Sequence, residues 1–175
     1  MIAPAPAATL AGSTIDTPIG RLGLLAGEAG LVKVTFAHEA FGEVAERLSA
    51  RLGARLVQRP ERLDQVKRQL DEYFTGRRRD FDLKLDLSLI AGFALAVAGR
   101  LRAIPYGATL TYGQVALSLG RPGAARAVGR ACGANPAPVV VPCHRVVAAD
   151  GRLGGFGGGL DIKSALLTLE GVTCR

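Results

Sequence analysis

A chain of 175 residues with 49% hydrophobic and 21% charged residues can build one ordinary domain or two small ones, which excludes a large multidomain machine and wholesale disorder. Its 22 Lys and Arg against 15 Asp and Glu are unevenly placed: residues 88–175 hold 9 basic and 3 acidic side chains, so an anionic partner would dock on the second half. No run approaches the roughly 20 apolar residues of a membrane span, and the Ala- and Pro-rich start lacks the charged lead of a secretory signal, which points to a cytoplasmic protein.

In chain order, residues 1–11 read as a flexible N-terminus and 12–87 as a small α/β domain. Strands are predicted over Ser13 to Thr17, Leu22 to Ala26 and Leu31 to Phe36, separated by turn signals at Pro18-Ile19-Gly20 and Gly27 to Gly30. Apolar spacing predicts helices over 40–53 and 60–74. The basic run Arg77 to Arg79 reads as a solvated turn because Asp80 and Asp82 follow at once, and the alternation Phe81, Leu83, Leu85, Leu87 as a strand or extended connector.

From residue 88 to 175 the pattern changes to short helices punctuated by Gly and Pro, predicted over Leu89 to Ala103, Thr111 to Leu119 with Thr111 as N-cap, and Ala124 to about Gly133. The last two, joined by Gly120-Arg121-Pro122-Gly123, form a helix-turn-helix candidate, and the second is rich in Ala, Gly and Arg. Val139-Val140-Val141 reads as a buried strand that Pro142 stops, leaving Cys143 at a strand end.

Three cysteines without a CxxC spacing, accompanied only by His38 and His144, argue against a disulfide framework and a zinc site, and suit a reducing compartment. Cys132 and Cys174 read as small hydrophobes. Cys143 differs, because the neighbouring His144 and Arg145 can lower a thiol pKa and make it a nucleophile.

Val141-Pro142-Cys143-His144-Arg145-Val146-Val147, with Asn135-Pro136 before it and Gly154 to Leu160 and Leu166 to Gly171 after it, resembles the active-site region of the O6-alkylguanine-DNA alkyltransferases. Ile104 to Gly107, Thr111 to Ala116 and Ala124 to Gly129 resemble the same family upstream, in order. Thr17 to Gly20 and Tyr73 to Gly76 match it more loosely and imply a ribonuclease-H-like N-terminal domain ahead of a mostly helical DNA-binding and alkyltransferase domain. Departures are Ala91-Gly92-Phe93-Ala94, Ala98 and Phe156-Gly157, where the family often has Thr-Pro-Phe-Gln, Trp and Tyr-Ser.

The resemblance implies direct reversal of O6-alkylguanine damage, with O4-alkylthymine as a second substrate, by irreversible transfer of the alkyl group to Cys143 once per molecule. It implies no cofactor and no metal, and a monomer acting on double-stranded DNA without a membrane. By the same resemblance His144 is the base, reaching the thiol through water, Glu170 orients His144, Asn135 ties the recognition helix to the active-site turn, and the Tyr112 hydroxyl meets guanine N3. Arg126 is the finger that replaces the flipped nucleotide, on a helix whose Ala125, Ala127, Gly129 and Arg130 approach DNA. Pro138, Val146, Phe156, Gly157 and Gly158 are implied as substrate pocket. Other readings of these residues are an alkylguanine-binding protein without transfer, a Cys/His hydrolase and a regulatory helix-turn-helix factor. The first would lack the acceptor cysteine, and the hydrolase needs an oxyanion hole that the sequence does not display.

Overall fold

The computed structural model describes residues 8–173, which divide into two compact units. One comprises the chain to Asp71 together with Asp82–Asp86; the other comprises Glu72–Phe81 and the chain from Leu87. Among the described residues no helix is long and apolar enough to cross a membrane. Cys174 lies outside the described residues.

The first unit is built on a sheet of order β3-β2-β1-β4. Strands β1 (Thr9–Thr17), β2 (Gly20–Ala26) and β3 (Leu31–Thr35) form an antiparallel meander, and β4 (Arg55–Val57) pairs parallel with β1. The flexible N-terminus expected through residue 11 is corrected here: Leu10 and Ala11 are buried in β1, opposite Leu56 and Val57. Both are apolar and the parallel partner covers them, so ordering this stretch removes them from water. β4 escaped the sequence reading because three residues directly after a helix are too few to show alternation.

Helix α1 (Phe41–Leu52) lays the Phe41 ring over the sheet where Gly23 has no side chain; a Cβ there would stand 2.2 Å from the ring. A 3-10 turn at Pro60–Leu63 leads into α2 (Asp64–Phe74), burying Leu63, Val66 and Leu70. Each of these side chains stabilises the fold by about 1.5–3 kcal/mol relative to exposure. Of the two readings for 81–87, strand or extended connector, the structure shows the connector. The Gln69 side chain takes both backbone groups of Asp82, at 2.9 Å each, and only Leu85 makes an isolated bridge, to Leu31.

The second unit contains α3 (Gly92–Arg102), β5 (Leu110–Thr111), α4 (Tyr112–Ser118), α5 (Ala125–Gly133), β6 (Val146–Val147) and α6 (Leu160–Leu169). α3 buries Val97, Ala98 and Leu101. Thr111 caps α4 in a full capping box: its Oγ1 accepts from the Gln114 amide at 3.1 Å, and the Gln114 side chain accepts from the Thr111 amide at 2.7 Å. α4 and α5 are joined through Gly120 and Gly123, both at positive φ, as the helix-turn-helix reading requires. β5 and β6 pair in parallel, Leu110 opposite Val146 and Thr111 opposite Val147. This short ladder matters for position, because Tyr112 directly follows one strand and Cys143–Arg145 directly precedes the other. In the basic run, Arg78 Nε donates to Glu72 at 2.7 Å, Arg77 Nε donates to Thr75 Oγ1 at 3.0 Å, and Arg79 stands 5.6 Å above the Tyr106 ring.

Candidate active site

The three-valine segment is a turn and not the strand that its composition suggests. The Val141 amide donates to the Ala137 carbonyl at 2.8 Å, and Val139 has φ 73°, the only positive value among the described non-glycine residues. A β-branched residue adopts that conformation at a cost, on the order of 1–3 kcal/mol. Asn135 holds the turn from inside: its Oδ1 accepts from the Ala137 amide at 3.0 Å and its Nδ2 donates to the Val141 carbonyl at 2.8 Å. The same Nδ2 donates to Cys143 Sγ at 3.2 Å. Pro142 then opens a one-turn 3-10 helix, Cys143–Arg145, so the thiol sits at a helical start and not at a strand end.

Consecutive side chains on that turn diverge, and the structure uses the divergence. Cys143 faces a cavity of about 470 Å³, a size suited to a small organic ligand, whose wall includes Tyr112, Ala125, Arg126, Gly129, Cys132, Phe156 and Gly157. His144 and Arg145 turn the other way, into protein, and both meet Glu170, the buried residue that ends α6. Glu170 Oε1 accepts from His144 Nε2 at 2.9 Å, Arg145 Nη2 at 2.9 Å and the Tyr73 hydroxyl at 2.7 Å. Oε2 accepts from Arg145 Nε at 2.9 Å and the Gly107 amide at 3.1 Å. Burial alone would raise this carboxyl, but the bonds from His144, Arg145 and Tyr73 outweigh it and hold the pKa at about 2. Glu170 is therefore an anion.

An anion at Nε2 assigns the His144 proton to that nitrogen and leaves the lone pair on Nδ1, which has no hydrogen-bond partner among the described residues. Burial lowers the His144 pKa, and the Arg145 and Lys163 charges add to this, against the pull of Glu170. A neutral imidazole with a bare nitrogen is a base. The Cys143 thiol is raised chiefly by burial; the Asn135 amide, the Lys163 charge and the backbone amides of Cys143 and His144 oppose it. At rest it is a protonated nucleophile with its thiolate-stabilising groups already placed.

Tyr112 starts α4, and its hydroxyl donates to the Gly155 carbonyl at 3.3 Å on the glycine-rich segment. Gly154, at φ 67°, must be glycine beside it, since a Cβ would stand 3.0 Å from the phenol oxygen. Among the expected pocket residues, Phe156 and Gly157 line the Cys143 cavity; Val146 and Pro138 are buried, the latter bridging to Val141, and neither they nor Gly158 lines it. The expected DNA-facing residues divide between two faces of α5. Ala125, Arg126 and Gly129 line the cavity, whereas Ala127 and Arg130 line a separate groove of about 540 Å³ with Phe93 and Arg121.

Four residues take parts in the site that the sequence reading did not give them. Cys132, taken as a small hydrophobe, lines the same cavity, and burial and the nearby Cys143 push its thiol up to about 12. Arg145 serves Glu170 and donates to the Ile104 carbonyl at 2.6 Å, so it does not address the thiol as its adjacency suggests. Tyr73 reaches Glu170 across 97 residues of sequence, which no local pattern signals. Lys163 is wholly buried; its only signal is that it is the one basic residue of α6. Among the described residues no cluster of three metal-ligating side chains occurs.

The family description "6-O-methylguanine DNA methyltransferase, ribonuclease-like domain" matches residues 10–87, and its DNA-binding domain matches residues 92–172. The methylated-DNA–protein-cysteine methyltransferase of Mycolicibacterium paratuberculosis is 42% identical over 157 residues, covering 90% of each chain. That of Methanosarcina acetivorans is 40% identical over 156 residues, covering 89% of this chain and 95% of its own. The crystal structure of Mycobacterium tuberculosis OGT in complex with DNA superposes with a TM-score of 0.77 at 40% identity, over 93% of this chain and 92% of that one. The O6-methylguanine-DNA methyltransferase from Pyrococcus kodakaraensis does so with a TM-score of 0.67 at 26% identity, over 94% and 100%. With both halves of the chain matched and the Cys-His-Glu arrangement in place, the chain belongs to the 6-O-methylguanine DNA methyltransferase family.

Proposed function

We propose that this chain repairs double-stranded DNA by taking the alkyl group of an extruded O6-alkylguanine, and of O4-alkylthymine, onto Cys143, once per molecule. The observation that carries this reading is the orientation of the Cys143–Arg145 turn, which presents the sulfur to an open cavity while its base is buffered by a buried carboxylate behind it. Family membership sets the reaction class: DNA repair by an alkyltransferase of the O6-methylguanine type.

The step follows from the atoms in place. His144 Nδ1, through one bridging water, takes the thiol proton, and Glu170 stabilises the imidazolium that forms. The thiolate attacks the saturated alkyl carbon in line with the guanine oxygen; a carbon–sulfur bond forms as the carbon–oxygen bond breaks, and its electron pair leaves with the base. The thiol proton is balanced by one taken up on guanine, with the Tyr112 hydroxyl released from Gly155 to meet N3 as charge develops there. The thioether left on Cys143 has no good leaving group for water to displace, so the protein is consumed. An O6 inside the base stack is out of reach, and unstacking costs a few kcal/mol that a substitute group must offset; Arg126, exposed at the cavity rim, supplies a planar cation.

Intact-protein mass spectrometry after mixing with an O6-methylguanine duplex tests this. The mass should rise by one methyl in place of one hydrogen, Cys143→Ala should abolish the rise, and Cys132→Ala should leave it. A methyl on Cys132, or none on either residue, overturns the reading.

A further inference from the structure

We propose that Lys163 is a positioning residue of the transfer: its buried ammonium pins the glycine-rich wall to the strand behind Cys143 and holds positive charge beside the thiol. The inference rests on the function proposed above and adds a residue to it. Lys163 lies in the middle of α6, fully buried, and its Nζ donates to the carbonyls of Val146, at 2.6 Å, of Leu153, and of Gly155, at 3.2 Å. Val146 lies three residues after the nucleophile; Gly155 lines the cavity, and Leu153 lies two residues before it. One ammonium therefore ties the floor of the site to its wall. Nζ also stands 5.9 Å from the centre of the Tyr112 ring, and the Gly155 carbonyl that it holds is the acceptor of the Tyr112 hydroxyl. A buried ammonium is costly unless its N–H groups are matched, and a Leu at this position would pack without that cost, so packing alone gives no reason for a lysine here.

The charge acts on the chemistry as well as on the scaffold. It favours the thiolate at Cys143 against the effect of burial, and it disfavours the imidazolium, keeping His144 able to accept a proton. The other titratable or charged groups around the sulfur are His144 and Arg145 on its own turn, Glu170 after α6, Tyr112 on α4, and Arg126 and Cys132 on α5. Arg145 and Glu170 are paired with each other and Arg126 is exposed to solvent, so the buried Lys163 is the cation whose loss is tested at the thiol.

The test is the pH profile of Cys143 alkylation by iodoacetamide in the full chain, followed on the peptide that carries Cys143. Lys163→Gln should move the midpoint upward by about one pH unit, and Lys163→Arg, which keeps the charge, should restore it. A purely structural role would lower the reactive fraction without moving the midpoint, so an unmoved midpoint in Lys163→Gln overturns the proposal. Should Lys163→Gln not fold, Lys163→Arg decides: a shifted midpoint, or failure of this variant to fold as well, overturns it. Iodoacetamide requires no recognition of guanine, so a chain that accepts no methyl from DNA would refute the proposed function and leave this measurement readable.

Discussion

Five donors converge on the two oxygens of Glu170, and this saturation ties the stability of the site to pH. The carboxyl titrates at about 2 when folded against 4.5 when free, so its contribution is complete above pH 4.5 and is lost as the pH falls towards 2. That is roughly 3 kcal/mol. His144, whose folded pKa is lowered from 6.5, acts in the same direction: the unfolded chain takes up its proton first, so stability begins to fall below pH 6.5. The midpoint of urea unfolding should therefore drop in two stages, gently below 6.5 and steeply between 4.5 and 2. Glu170→Gln should erase the second stage and be less stable at pH 7, because it leaves Arg145 buried without its counter-charge. A wild-type midpoint that is flat from pH 6.5 to 3 would contradict this. At this scale the sequence was partly legible. Cys143, His144 and Glu170 could be placed by motif, but a carboxylate gathers donors in space, and Tyr73 and Gly107 are distant from it along the chain.

Among the elements, α5 is where one helix carries two tasks. A rotation of about 100° per residue sends Arg126 and Gly129 to the cavity and Ala127 and Arg130 to the groove on its other side. Arg126→Ala should slow repair of duplex DNA tenfold or more, about 1.4 kcal/mol of barrier, because nothing then offsets unstacking. Free O6-benzylguanine has no stack to leave, so its single-turnover rate should be nearly unchanged. Equal impairment of both substrates would show that Arg126 supports the pocket and is not a finger. The helices from α1 to α5 and the long strands were legible because their apolar periodicity extends over two or more turns or several alternations, whereas α6 was not predicted. The valine turn was not: three β-branched residues favour extended backbone, and here Asn135 overrides that preference by supplying the donors and the acceptor that close the turn.

Over the whole chain, the excess of positive charge lies in residues 88–175, the part matched by the DNA-binding family description and bearing both faces of α5. Affinity for undamaged duplex should fall linearly with the logarithm of salt concentration as counterions leave the phosphates, and Arg130→Ala should reduce the slope by about one. A salt-independent affinity, measured by fluorescence anisotropy, would sink the proposed DNA partner. One feature of the cavity wall also bears on what can enter it. Most of the strained glycines are fixed by their backbone, but Gly155 and Gly157 have ordinary torsions, and a Cβ on either would meet no atom within 4 Å. The fold itself has no need of glycine at those two places. The rim beside Cys143 is in this sense a mesh whose spacing can be narrowed one methyl at a time, from the outside, with the machinery behind it left untouched.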